Sequence, residues 1–275
     1  MGECRFYLGV HEPSWLRTAG VPLFVSRRRL IRLKTLPRAA APWALDSGGF
    51  TELQLHGEWR LTARDYVALV RRYVDEIGRV EWAAPQDWMC EPIVIKGGQA
   101  GPIAFAGTGL SVEEHQRRTV ANLLELRTLA PELPWAPVLQ GWHPDDYLRC
   151  WAQYDAAGID LCAEPVVGVG SVCRRQHSDE AVRIFRSLQP LRLHGFGLKL
   201  AGLKRATGLL SSADSMAWSD GARRAAGKLC DTRHARGAQK CANCLPYAMM
   251  WRQEVVSMMQ STRIEGRRQA DLFIR

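Results

Sequence analysis

Trp43-Ala-Leu-Asp-Ser-Gly-Gly-Phe50 is the stretch that decides how the chain is read. Its apolar start suits a short buried strand, and the strand ends on a carboxylate followed by a glycine pair. Glycine lets the backbone turn sharply and approach a ligand closely. Asp46 is therefore either a functional carboxylate at a strand end or a cap for the helix that follows.

Working outward, the same punctuation recurs. Strands are predicted at Arg5–Val10, Trp43–Asp46, Val80–Ala84, Ala136–Gln140, Leu161–Val167 and Leu193–Leu198, with a weaker one at Leu209–Ala213. Polar and glycine residues gather where several of them end: Asp46-Ser-Gly-Gly, Gln86-Asp87, Gln140-Gly141 and Gly168-Val-Gly-Ser171. Between them lie helical patterns at Leu61–Ile77, from Ser111 through Leu126, and at Pro144–Ala156 and Ser178–Leu188. The first has apolar residues at Tyr66, Leu69, Val70, Tyr73 and Val74, the spacing of a helix face. Ser111-Val-Glu-Glu114 has the form of a capping box. Alternating strands and helices imply a parallel sheet, open or closed. No G-x-G-x-x-G follows the first strand, which disfavours a dinucleotide-binding open sheet. Functional residues at the carboxyl ends of strands favour a (β/α)8 TIM-like barrel. The glycine-rich segment 95–109 is expected to be a lid or a long loop.

The 275 residues can bury one large core. An apolar content of 47% excludes whole-chain disorder. No apolar run approaches the roughly 18–20 residues of a membrane helix, so no membrane association is expected. The N-terminal sequence lacks the pattern of an export signal, and a cytoplasmic setting is expected. A net charge of +9, carried mostly by arginine, suits phosphate partners, although compositional bias alone also enriches arginine.

With these residues in place, a resemblance becomes specific. Leu45-Asp-Ser-Gly-Gly-Phe50 resembles the strand-end motif of the tRNA-guanine transglycosylase superfamily, and further motifs follow in that family's order across about residues 5–245. The resemblance implies that Asp46 is a general acid/base beside the leaving guanine. It implies that Asp87 of Pro85-Gln-Asp87 and Gln140 of Val138-Leu-Gln-Gly141 contact the base. It also implies that the Gly168–Gly170 strand end lines the base pocket and that Asp214 of Ser212-Ala-Asp-Ser215 is the nucleophile. Ser47, Gly48 and Gly141 join the substrate-binding set. The family's sequence around the nucleophile is replaced here by Ala213-Asp-Ser-Met-Ala-Trp-Ser-Asp220, which leaves Asp220 as a competing carboxylate. Trp88 and Phe50 are candidates for stacking on the base, or core residues. The chemistry agrees: breaking an N-glycosidic bond through an oxocarbenium-like state needs a carboxylate to trap C1′ and an acid to protonate the departing base.

Cys230-x3-His234-x6-Cys241-x2-Cys244 offers four soft ligands for a closed, structural tetrahedral zinc. The superfamily also carries a structural zinc near the end of its barrel, with its three cysteines before the histidine. Arginines cluster at Arg27-Arg28-Arg29, Arg174-Arg175 and Arg223-Arg224. They are candidates for a nucleic-acid phosphate track, or simply solvated faces. Gln269-Ala-Asp-Leu272-Phe273 resembles the peptide with which bacterial replication proteins dock on the sliding clamp, the alternative being a terminal strand or helix cap.

The reading is a catalytic barrel over 1–228, a zinc-binding segment and helix packed on it over 229–260, and a tail over 261–275. Within the superfamily the chain looks most like the DNA-modifying branch, which exchanges guanine for 7-deazaguanines such as preQ0. That implies DNA and a free 7-deazaguanine base as partners, with the target guanine flipped out of the duplex. The alternatives are a small tRNA-guanine transglycosylase and a non-catalytic zinc-containing nucleic-acid-binding barrel. A metal-dependent hydrolase is disfavoured, because the histidines show no paired ligand spacing at strand ends.

Overall fold

A computed structural model of the chain describes residues 4–173, 179–231 and 240–272. Eight strands form one parallel sheet: β1 (Arg5–Val10), β2 (Leu23–Ser26), β3 (Trp43–Asp46), β4 (Val80–Ala83), β7 (Val138–Leu139), β8 (Val167–Val169), β9 (Leu193–Gly195) and β10 (Ser212–Ser215). The intervening β5 (Gly98–Ala100) and β6 (Ile103–Phe105) make a separate antiparallel hairpin. Helices alternate with the strands: α1 (Trp15–Thr18), α2 (Arg27–Leu30), α3 (Gly49–His56), α4 (Ala63–Glu76), α5 (Pro92–Lys96), α6 (Val112–Leu129), α7 (Pro144–Ala156), α8 (Asp179–Ser187), α9 (Leu200–Ala206), α10 (Ala217–Arg224) and α11 (Leu245–Leu272).

The sheet runs β4-β3-β2-β1-β10-β9-β8-β7, and its two ends meet. Ala83 of β4 bridges Trp135 in parallel, with Ala83 N–H donating to Pro134 O (2.9 Å) and Ala136 N–H to Ala83 O (3.0 Å). Following paired residues once round the ring returns to β1 about eight residues from the start, the shear of a TIM barrel. Side chains alternate between two cores, as a strand's period of two requires. Phe6, Leu8, Leu23, Val25, Trp43, Leu45 and Ala213 face the helices. Tyr7, Phe24, Ala44, Trp82, Ala136 and Val166 fill the lumen, with Phe196 packed against them.

Three strand predictions shift along the chain. Leu161–Val167 gives way to Val167–Val169, Leu193–Leu198 shortens to Leu193–Gly195, and Leu209–Ala213 moves to Ser212–Ser215. β2 is an addition: its four residues, Leu-Phe-Val-Ser, lead directly into the arginine run and are too short for a periodic signal. The segment 95–109 is a hairpin rather than an irregular loop. The helix predictions are close to the structure. Ser111 Oγ accepts from Glu114 N–H (3.1 Å), but the Glu114 carboxylate pairs with Arg117 and Arg118 instead of closing the box. Helix α11 runs through residue 260, where the tail was expected to begin.

Glycine at position 168 serves the lumen, since a Cβ there would lie 2.5 Å from Phe196 Cε2 and 3.1 Å from Val138 Cγ2. Gly168→Ala is expected to lose about 1–3 kcal/mol in urea unfolding by overpacking. Gly208→Ala, where a Cβ meets nothing within 4 Å, is expected to change little.

Candidate active site

Asp46 follows Ala44 on β3 and so shares its lumen-facing side. Asp214 neighbours helix-facing Ala213 on β10 and so points inward too. Asp214 pairs with Tyr7 of β1, and Asp46 pairs with Ser26 of β2. A shear of about eight makes the register climb about one residue per strand. Over the three steps from β10 to β3, this brings the two carboxylates to within about one residue of the same height. They face each other across one lumen, at the carboxyl ends of their strands.

The turn after β3 is built around Asp46. Gly48 takes a left-handed conformation (φ 78°) and its N–H donates to Asp46 Oδ1 at 3.1 Å. A Cβ on Gly48 would come 2.8 Å from Arg28 Cγ. Burial pushes the Asp46 carboxyl above its ordinary range; hydrogen bonds from Gly48 and Ser26 oppose this, and the Asp214 charge reinforces it. Arg27 holds the turn from below, with Nε donating to Ser47 O (2.9 Å) and a terminal nitrogen to Glu52 Oε1 of α3 (2.7 Å).

Beside Asp46 lies a chain of buried polar groups. Ser47 Oγ donates to Asp87 Oδ1 (3.1 Å), and Gln140 Nε2 donates to Asp87 Oδ2 (2.6 Å). Beyond Gln140, Ser171 Oγ lies 2.9 Å from Gln140 Oε1 and 2.8 Å from Glu91 Oε2, and it accepts the Cys90 N–H. Ser171 takes a positive φ of 56°, unusual outside glycine and common where backbone strain serves a site. Burial raises the Asp87 carboxyl to about 7, with the hydrogen bond from Gln140 opposing and the Asp46 charge adding. This wall offers a carboxylate beside an amide, the donor–acceptor pattern that suits the edge of a purine.

Among the described residues the contacts to the Asp214 carboxylate fall on one oxygen, Oδ1. Gly197 N–H donates to Oδ1 at 2.9 Å, and His194 Nε2 lies 3.3 Å from the same atom. His194 is fully buried, its Nδ1 lies 2.9 Å from Ser212 Oγ, and its ring packs 4.7 Å from Trp82 and 4.8 Å from Phe196. With Ser212 Oγ donating to Nδ1, Nε2 is the ring nitrogen that carries its hydrogen toward Asp214. Asp220 does not compete, because it lies on α10 paired with Arg224 at 2.8 Å.

Several expected site residues stand elsewhere. Arg27 is 3% exposed and committed to Glu52, so it is not a nucleic-acid contact. A run of three arginines does not reveal the helical phase that turns its first member inward. Arg28 is partly exposed and shares Glu52, and Arg29 is exposed. Gly141 faces Asp146 and Tyr147 of α7 rather than the lumen. Gly170 does face inward, but the Gln140 amide lies against it. Trp88 packs with Leu53, Val94 and Phe105, its ring 4.6 Å from the Arg118 guanidinium, and Phe50 packs on Phe105. Neither lines the lumen, whose aromatic residues are Tyr7, Phe24 and Trp82, with Phe196 packed against them. His194, Phe196, Ser171 and Glu91 were missed. The alternation of His194 and Phe196 within Leu193-His-Gly-Phe-Gly197 was the available signal for the first two.

Near the C-terminus, Cys230 Sγ lies 3.5 Å from both Cys241 Sγ and Cys244 Sγ, and the three sulfurs fall within 4.8 Å of one another. Zinc–thiolate bonds of about 2.3 Å set tetrahedral sulfur separations of about 3.8 Å, so the triad fits a structural metal ion. The cluster packs on Ala222 of α10, and Ser219 Oγ of that helix donates to Ala242 O (2.7 Å). The fourth expected ligand, His234, lies outside the described residues, as do Arg174, Arg175 and Phe273. Arg223 and Arg224 are exposed on α10, and Gln269 and Leu272 fall in the last turns of α11. Among the described residues no helix is long and apolar enough to cross a membrane.

An acid with a higher pKa folded than unfolded makes the fold lose stability as pH rises between the two values, here from 3.8 to about 7. Asp87→Asn removes that cost while an amide can still meet Gln140 and Ser47. The variant is expected to exceed the parent in urea unfolding at pH 8 by up to about 4 kcal/mol, with the gain shrinking to nothing near pH 4.

No curated protein gives a significant match to the sequence. A family match does cover almost the whole chain, over residues 2–270, and the family's description is DpdA, DeoxyPurine in DNA protein A. Its members are DNA 7-deazaguanine transglycosylases within the tRNA-guanine transglycosylase superfamily. The match spans almost the whole chain, whose barrel mouth carries two inward-facing carboxylates with a buried hydrogen-bonding wall beside them, and the chain belongs to the DpdA family.

Proposed function

We propose that this chain exchanges guanine in DNA for a free 7-deazaguanine base, preQ0 or a close relative, by double displacement. The observation that carries the reading is the inward, level placement of Asp46 and Asp214 across one lumen, with Asp87 and Gln140 beside them.

Asp214 Oδ2 attacks C1′ of the flipped deoxyguanosine. The new O–C1′ bond forms as the C1′–N9 bond breaks, and the bonding pair leaves with the base. Asp46, which burial inclines to hold a proton, protonates the departing guanine. The incoming 7-deazaguanine then returns its N9 proton to Asp46 and attacks C1′, and Asp214 leaves as a carboxylate. Two inversions give net retention. Ionised Asp87 accepts from N1–H and the 2-amino group, and the Gln140 amide meets the neighbouring oxygen of the purine edge. Gly197 and His194 bind Oδ1 of Asp214, which keeps Oδ2 for attack and places it. His194 is thus a positioning residue. Gly48, Gly168 and Gly170 shape the pocket, and Arg28, Arg29, Arg223 and Arg224 are available for phosphates.

Zinc is the metal that Cys230, Cys241, Cys244 and His234 would hold, three thiolates and an imidazole being its usual closed set. It would fasten the C-terminal segment to α10, the helix that follows Asp214. The Gln269–Phe273 peptide would dock the enzyme on the sliding clamp.

Nucleoside mass spectrometry of duplex DNA and of tRNA, each incubated with the chain and preQ0, tests the function. A 7-deazaguanine deoxynucleoside is expected from DNA, and product from tRNA alone would overturn the DNA reading. Asp214→Asn is expected to abolish exchange while DNA binding persists. His194→Phe, which fills the aromatic cage without the donor, is expected to lower kcat on the order of 10²-fold with KM little changed. Elemental analysis is expected to find one zinc per chain, and both Cys241→Ser and chelation are expected to lower Tm.

A further inference from the structure

The rim between the two proposed catalytic carboxylates carries a second group of residues. His11 follows Val10, the last residue of β1, and β1 lies on the arc between β10, which holds Asp214, and β3, which holds Asp46. Two guanidiniums close on its ring from different helices. Arg29 of α2 lies 3.1 Å from Nδ1, and Arg223 of α10 lies 3.2 Å from Nε2, where Ser219 Oγ is also at 3.0 Å. A neutral imidazole has one lone-pair nitrogen and one N–H, so it cannot accept from both guanidiniums. Among the described residues no carboxylate pairs with Arg29 or Arg223. The one acidic group acting on the ring is Glu12, and Asn243 already donates to it. Trp218 of α10 covers the remaining side, edge-on. Burial and the two arginine charges push His11 down to about 4. Two cations therefore hold a neutral ring between them.

We propose that His11, Arg29 and Arg223 form an anion site for one phosphodiester of the DNA strand, the one flanking the nucleotide whose base enters the barrel. The proposal rests on the DNA reading above. A phosphodiester resolves the frustration. Its non-bridging oxygens accept from both guanidiniums and from the imidazole N–H, three donors that approach from separate directions. The placement fits as well. Asp214 pairs with Tyr7, so the shear puts it near the height of Leu8, and His11 stands three residues further out along β1. That is roughly 8–10 Å above the level of Asp214, on the side from which a strand delivers its nucleotide. The site thus sets how deeply the sugar descends between Asp46 and Asp214.

Two measurements test the site apart from exchange. In the first, inorganic phosphate is titrated onto the parent chain while the His11 ring protons are followed by NMR across its protonation. The midpoint is expected to rise by about one unit, because the anion favours the imidazolium. The Arg29→Gln, Arg223→Gln double variant is expected to show no such response. A parent midpoint indifferent to phosphate overturns the anion site. In the second, duplexes carrying a single uncharged methylphosphonate on either side of the target guanosine are bound to both proteins. One position is expected to weaken the parent several-fold and leave the double variant indifferent, whose salt slope is already lower by about 1–2. Equal weakening of both proteins overturns the assignment. A parent that exchanges bases without this position-specific difference overturns the site and leaves the proposed function standing. A parent that neither binds nor modifies DNA overturns the function itself.

Discussion

Closure of the ring through Ala83 and Trp135 is the constraint from which the rest of the molecule follows. An open ladder from β4 to β7 would leave two long edges and no common height for the strand ends. Joining the ends at a shear of about eight ties every strand's register to its neighbours'. Asp46 and Asp214, 168 residues apart in the chain, become opposed because backbone hydrogen bonds count out their heights. No direct contact between them is required.

Closure also creates an unusual interior. The lower lumen is aromatic, with Tyr7, Phe24 and Trp82 around His194. Toward the mouth it becomes polar, and the polar groups are knitted into hydrogen-bonded chains: Ser212–His194–Asp214 on one side and Ser47–Asp87–Gln140–Ser171–Glu91 on the other. Burying such groups costs stability unless each is satisfied, and even satisfied acids carry a desolvation cost. Burial raises both Asp46 and Asp87. The fold tolerates these costs because the outer core, between strands and helices, is extensive and apolar. The polar interior is where stability has been given up for chemistry.

Around the mouth, elements distant in sequence buttress one another. Arg27 links the turn after β3 to α3 through Glu52. On the opposite arc, Ser219 of α10 reaches both His11 and the segment carrying Cys241 and Cys244. The cysteine cluster therefore bears on the helix that directly follows Asp214, and a metal ion held by the three thiolates would have a route to the geometry of the site.

The sequence by itself determined the alternation of strands and helices, the barrel, and the residues most tightly bound to short motifs. Asp46 with its glycine turn and the cysteine cluster could be named from a strand end and a compact spacing, where local pattern carries the information, whereas Asp87, Gln140 and Asp214 were singled out through the resemblance of the motifs around them. The four-residue β2 was not legible, since so short a strand has no period to read. Nor was the inward turn of Arg27, which depends on the phase of a single helical turn. Only the tertiary structure decided which groups meet. His194 becomes the partner of Asp214, Ser171 and Glu91 extend the Asp87 wall, and Arg29 and Arg223 converge on His11, because sheet register and helix packing bring them within hydrogen-bonding distance. A linear pattern holds the parity of a side chain along its own strand; it does not hold the offset between one strand and the next, and that offset is what a closed barrel sets.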